Sequence, residues 1–197
     1  MRYDAEHKQK TRERVLKAAA KAIRAQGPHR IGVSGVMAKA GLTHGGFYAH
    51  FASKDEFVAE AIGQMFVESR QRVVKEMGEL PPAQALAAYV DFYLSQTHRD
   101  ARQTGCPLPF LSADAPRLTG LSQARFAQGV AELTRRIADQ LEALGHAEAL
   151  GEASSILAEL VGALSLARAE PDPARSNAIL TYSRDALRRR FHLDTVS

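Results

Sequence analysis

Residues 41–57 hold the side chains of this chain whose types and spacing could do chemistry. They read Gly-Leu-Thr-His-Gly-Gly-Phe-Tyr-Ala-His-Phe-Ala-Ser-Lys-Asp-Glu-Phe. Thr43 and His44 place hydrogen-bonding groups at the start of a short helix, where a helix entering a groove meets base edges. Gly45 and Gly46 each cost a helix about 1 kcal/mol relative to Ala. Such a cost is accepted where the backbone must come close to something else. Tyr48 and His50 add polar aromatic groups, and Phe47 and Phe51 add apolar mass on the other side. Lys54 stands beside the N-terminus of a following helix, and both favour an anion such as phosphate. Small outward-facing residues, a polar tip and aromatic anchoring suit docking into a DNA groove, not bond making or breaking.

These residues need elements to position them, and the periodicity predicts helices throughout and no strand. A first helix over 4–26 carries an apolar stripe of Val15, Ala18, Ala19, Ala22 and Ile23, and Gly27-Pro28 stops it. A second covers 33–40, with Val36 and Met37 inward and Gly41 placed to end it in the left-handed conformation. A third runs over 43–51. Ser53, with Glu56 three residues on, forms a capping box for a fourth over 54–77. Helix, short turn around Gly41-Leu42, helix is a helix-turn-helix. Beyond it, helices are expected over 82–97, 110–113, 116–144, 147–169 and 174–191, with 98–109 irregular. The fold class is all-α, with about nine helices. The expected division is 1–52 for the head and 53–197 for the body.

Composition narrows the function. The chain has 197 residues and 45% hydrophobic residues, enough for a sizeable core. No unbroken apolar run reaches the roughly 18 residues of a membrane span, and the N-terminus lacks the apolar core of a signal peptide. A lone cysteine, Cys106, has no internal partner, which points to a reducing cytoplasm. The first 54 residues carry eleven Lys or Arg against three acids, a net +8. The rest carries fifteen against nineteen, a net −4. A basic head on a mildly acidic body is expected to meet a polyanion. Lys8, Lys10 and Arg12 form a basic arm for flanking DNA. Metal-ligand spacings and phosphate-binding loops are absent, so no cofactor is expected.

Residues 11–16 (Thr-Arg-Glu-Arg-Val-Leu), 36–42 (Val-Met-Ala-Lys-Ala-Gly-Leu) and 43–57 together resemble the TetR family of bacterial transcriptional regulators. The resemblance covers about a quarter of the chain, and its combination of Phe-Tyr-x-x-Phe-x-Ser-Lys with this spacing is specific. It implies a homodimer joined through the last two helices and a double-stranded DNA operator as partner. A small-molecule effector in the body would release a repressor from a palindrome. It also implies DNA contacts from Ser34, Thr43, His44, Gly45, Gly46, Tyr48, His50 and Lys54. Among these, Tyr48, Lys54 and Ser34 are expected on phosphates, and Thr43 and His44 on bases. Phe47, Phe51, Leu42 and Val36 are expected in the core.

In the body, Phe66, Tyr89, Phe92, Tyr93, Phe110 and Phe126 could line an effector cavity. Arg70, Gln96, His98 and Arg125 are available to orient a ligand. Aromatics at helical spacing are core more often than pocket. Cys106, in Thr-Gly-Cys-Pro-Leu at a loop-to-helix junction, is a candidate ligand or redox residue, since a thiol at a helix N-terminus is activated. It resembles a branch of the family with a Gly-Cys pair there, some of whose members respond to electrophiles or oxidants. The alternative function is therefore a small-molecule or electrophile/redox sensor acting through Cys106 with weak DNA specificity. An enzyme is not expected, because a Cys106/His98 pair has no evident third group.

Overall fold

A computed structural model describes residues 2–193, with side chains from residue 6. Among the described residues it is helical throughout, with no strand. The chain divides into two compact units.

The first unit comprises residues 1–68 and 110–129. Helix α1 (Arg2–Gln26) ends at Gly27, whose φ of 84° and N–H bond to the Ile23 carbonyl close the last turn. Helix α2 (Val33–Lys39) starts at Gly32 without a side-chain cap. It ends in a Schellman motif. Gly41 has φ 72°, its N–H donates to the Ala38 carbonyl, and the Leu42 N–H donates to the Met37 carbonyl at 2.9 Å.

The expected third α-helix is instead a 3₁₀ segment, His44–Ala49. Its N-cap Thr43 makes no capping bond, and two glycines follow within the first turn. With no nucleus worth propagating, the chain makes only short i→i+3 turns. Helix α3 (Lys54–Met77) starts on the predicted capping box. Ser53 Oγ accepts from the Glu56 N–H at 3.0 Å, while Glu56 Oε2 accepts from the Ala52 N–H at 2.6 Å.

The unit's core is an aromatic cluster. Phe47, Phe51 and Phe57 are all at most 2% exposed, with ring centroids 4.9–5.4 Å apart. Val15, Ala19, Ile23, Val36, Met37 and Ile62 are buried too. Leu42 is only half-buried. From later in the chain the unit takes the second half of α6 (Leu108–Leu111), the 3₁₀ turn Ala115–Arg117 and the first part of α7 (Gly120–Ala143). The helix expected from Pro116 begins four residues late, because Leu118 is extended at ψ 148°.

The second unit comprises 69–109 and 130–197. Helix α4 (Pro82–Tyr93) stops short of the expected 97 because Ser95 intervenes. Its hydroxyl donates to the Phe92 carbonyl and accepts from the His98 N–H, starting α5 (Gln96–Asp100). His98 is thus helical, not in a loop. Helix α7 ends on Gly145 (φ 86°) in another Schellman motif.

Helices α8 (Ala149–Ala169) and α9 (Pro173–Arg190) follow, separated by a short turn. Asp172 caps α9 by accepting from the Arg175 N–H, and Ser176 Oγ donates to the Ala167 carbonyl at 2.6 Å. By length and composition alone α8 is apolar enough to cross a membrane, as the core helix of a soluble protein also can be, and Glu152 and Glu159 interrupt its apolar run. Its apolarity has a packing reason. One stripe, Ala153, Ile156, Leu157, Leu160, Ala163, Leu164 and Ala167, is buried, and further apolar residues, Leu150 and Leu166, lie outside it.

Candidate nucleic-acid interface

The turn into His44–Ala49 is held from behind by Phe47, whose ring is in the core, and from the front by a polar contact. Ser34 Oγ on α2 and His44 Nδ1 lie 3.0 Å apart, both residues exposed. Thr43, Gly45 and Tyr48 are exposed as well; Tyr48 is 72% exposed although its ring meets Phe47 edge-on at 5.2 Å. Lys54, the first residue of α3, is exposed on the same short stretch of chain.

The glycine pair is not required by the fold. A Cβ at Gly45 would meet nothing within 4 Å, and one at Gly46 would make ordinary contacts at 3.8 Å with Met37 and Thr43. Neither residue has positive φ. Gly41 differs, since its φ of 72° demands glycine. The described chain would thus accept a side chain at either position.

His50 is half-buried, with its ring tilted against Phe51. Burial lowers its pKa, and the positive charges of Lys8 and Arg12 lower it further. Of the expected arm, Lys10 pairs with Glu6 at 2.7 Å. Arg12 lies 5.0 Å over the Phe51 ring and 3.5 Å from Glu60. Residues 8–12 are therefore turns of α1, and Arg12 is a tie within the unit. Arg24, buried, pairs with Glu68 at 2.8 Å.

The residues expected around an effector fall into both units. In the first, Phe66 is buried and meets Phe126 edge-on at 5.8 Å. Phe110 is half-buried, and Arg125 is exposed and reaches Glu60 at 3.6 Å. In the second, Tyr89, Tyr93 and Cys106 are buried and Phe92 is half-buried. Burial raises the pKa of both tyrosines well above the phenol range, with Cys106 adding to the shift, so both stay protonated. Arg70 is paired with Glu132.

The sequence makes His98 available to orient a ligand. The structure gives it another task. Its Nε2 accepts the Cys106 N–H at 3.1 Å, so the proton sits on Nδ1, which donates to the Tyr93 carbonyl at 2.9 Å. Both ring nitrogens are committed to backbone, leaving none for the Cys106 thiol. Among the described residues no cluster of His, Cys, Asp or Glu could hold a metal.

Residues 15–61 match the family model for bacterial regulatory proteins of the tetR family, the stretch from the α1 core to the start of α3. Over these residues the chain belongs to the TetR family. Its head is the helix-turn-helix of a DNA-binding transcriptional regulator. Solved structures share the whole fold. NemR of E. coli in its reduced form is 22% identical, with a TM-score of 0.80 over 91% of this chain and 96% of that one. A TetR regulator from Chloroflexus aurantiacus is 20% identical, with a TM-score of 0.75 over 92% and 94%. One from Agrobacterium tumefaciens is 21% identical, with a TM-score of 0.75 over 91% and 98%. At these identities the likeness speaks for the fold. No curated protein matches the sequence. The family match covers the whole of His44–Ala49.

Proposed function

We propose that this TetR-type regulator is a homodimeric, ligand-responsive repressor acting in the cytoplasm. It binds a palindromic operator through residues 1–52, and a small molecule held by 53–197 releases it. The observation that carries the reading is the Gly45-Gly46 pair, exposed at Gly45 and half-buried at Gly46, which the fold does not need sterically and a groove-docked backbone does. Thr43 and His44 face base edges. Tyr48 and Lys54 meet phosphates, which position the protein without reading sequence. His50 supports the flank. The effector contacts come from among Phe66, Tyr89, Phe92, Tyr93, Cys106, Phe110, Arg125 and Phe126.

The test is selection of fragments from the source genome by the purified full-length protein at near-physiological salt. Recovery of a palindrome with half-sites about one helical turn, or a multiple, apart supports the reading. Recovery of random fragments, or of none, overturns it.

A second reading, sensing of oxidants or electrophiles by Cys106, draws on how tightly its loop is packed. A Cβ on the preceding Gly105 would lie 2.9 Å from the Ala101 carbonyl and His98 Nε2, and 3.0 Å from Arg168. Cys106 itself is buried, so an adduct on its thiol must displace neighbouring atoms. Cys106→Ser should then abolish release of DNA by diamide; an unchanged response removes this reading.

A further inference from the structure

The contact between Ser34 and His44 assigns more than a place in the interface. Ser34 contributes no cap to α2, whose N-cap is Gly32 without a side-chain bond. Its hydroxyl instead meets His44 Nδ1 across ten residues of sequence at 3.0 Å, on the exposed side. With Nδ1 engaged, Nε2 is the ring nitrogen left to meet another molecule.

A neutral imidazole has one donor and one acceptor nitrogen, and a protonated one has two donors. If Ser34 donates to Nδ1, Nε2 carries the proton. If the ring is protonated, Nδ1–H goes to Ser34 Oγ and Nε2–H again points outward. The remaining arrangement, a neutral ring with Nε2 as acceptor, turns a lone pair toward a groove lined with phosphates. The phosphate field favours a donor there. Gly45 and Gly46 leave the space beside the ring open.

We propose that Ser34 is the positioning residue of a base-reading pair: it holds His44 so that Nε2–H donates to the O6/N7 edge of a guanine in the major groove. Guanine offers two adjacent acceptors on that edge. Adenine sets a donor beside its N7, and that donor opposes Nε2–H. The inference rests on His44 being a base reader, and it takes Ser34 away from the phosphates.

The experiment uses full-length wild type, Ser34→Ala, His44→Ala and the double variant. Each is titrated against the selected operator and a panel in which every base pair of the half-site is changed in turn. Thermal melts serve as the folding control. Wild type should lose roughly tenfold in affinity when one particular guanine is replaced by any other base. Ser34→Ala and His44→Ala should both lose that preference, at the same position. The double variant should do no worse than His44→Ala alone.

Equal loss by Ser34→Ala on every sequence, with a shallower salt dependence, would make Ser34 a phosphate contact and overturn the proposal. So would an unchanged preference in Ser34→Ala, or a His44-dependent position that is not guanine. If His44→Ala keeps every preference of the wild type, the reading of His44 as a base reader falls with it. If wild type selects no sequence at all, the repressor reading falls too.

Discussion

At the scale of single residues, a glycine must be asked what it is for. Gly41 answers to its own backbone, with φ 72° at the end of α2. Gly45 answers to nothing inside the described chain, because its side-chain position is empty space. Gly45→Ala should therefore stabilise the fold, by up to about 1 kcal/mol, because the unfolded chain loses freedom. The same change should weaken operator binding about tenfold or more if the methyl meets DNA. Urea denaturation and a binding titration on one preparation separate the two effects. A more stable variant with undiminished operator affinity would show that no close approach occurs at this position.

His98 makes the opposite point, as a polar residue that works inward. Burial lowers its pKa to about 4; Arg168 and Arg72 push the same way, and the bond to the Tyr93 carbonyl partly opposes them. The folded protein holds it neutral while the unfolded chain protonates it near 6.5. Its contribution is complete above pH 6.5 and is lost as pH falls toward 4, on the order of 3 kcal/mol in all. Unfolding free energies measured at intervals from pH 7 to pH 4 should decline across that window. His98→Asn should be less stable at pH 7 but show a shallower decline. An equally steep decline in the variant would assign the acid sensitivity to other groups.

Among the elements, helix α7 contains a glycine that sequence pattern reads only as a cost. A Cβ at Gly129 would lie 2.2–2.4 Å from the Phe66 ring, so the ring of α3 rests directly on the α7 backbone. Gly129→Ala gains helix propensity yet should destabilise the protein by about 1–3 kcal/mol, because a fully buried ring has nowhere to go. Thermal unfolding checks the sign. Phe66→Leu in the same background should recover part of the loss, since a smaller side chain relieves the clash. Stabilisation by Gly129→Ala alone would mean that Phe66 moves freely.

The same elements show what was legible beforehand. Ser53 with Glu56, Gly41 and Gly145 were readable because caps are local chemistry written in adjacent residues. The 3₁₀ form of His44–Ala49 was not, since it follows from the balance of a weak cap, two glycines and tertiary packing of Phe47. The break at Ser95 was hidden because its hydroxyl bonds two backbone groups of a chain that otherwise reads as one helix. Helical spacing leaves Phe66 open to core or cavity, and only its partner at Gly129, 63 positions away, shows what it rests on. Tyr48, Lys54 and the glycine pair were legible as a motif. The hydrogen bond between Ser34 and His44 was not, because nothing in the intervening sequence announces it.

For the molecule as a whole, the net charge of +8 over the first 54 residues sets an attraction to DNA, but charge alone does not read a palindrome. Reading one needs two heads related by a twofold axis, and the second unit offers a surface for that. Leu166 on α8 is 63% exposed and Tyr182 on α9 is 73% exposed. Near them Val161, Gly162, Ile179 and Ser183 are only half-covered, and a Cβ at Gly162 would meet nothing within 4 Å. Helices with small residues at an open face can approach closely, and the buried stripe of α8 already supplies the unit's own core. Leu166→Arg and Tyr182→Arg should therefore leave the monomer fold intact, since neither side chain is packed within one chain. Sedimentation should show a shift from dimer to monomer. Operator affinity should fall by about a hundredfold or more, because the second half-site is no longer delivered by the first. Binding to an isolated half-site should be unchanged. A variant that stays dimeric and keeps its operator affinity would place the subunit interface on another face, and the two heads would then have to be spaced by a different pair of helices.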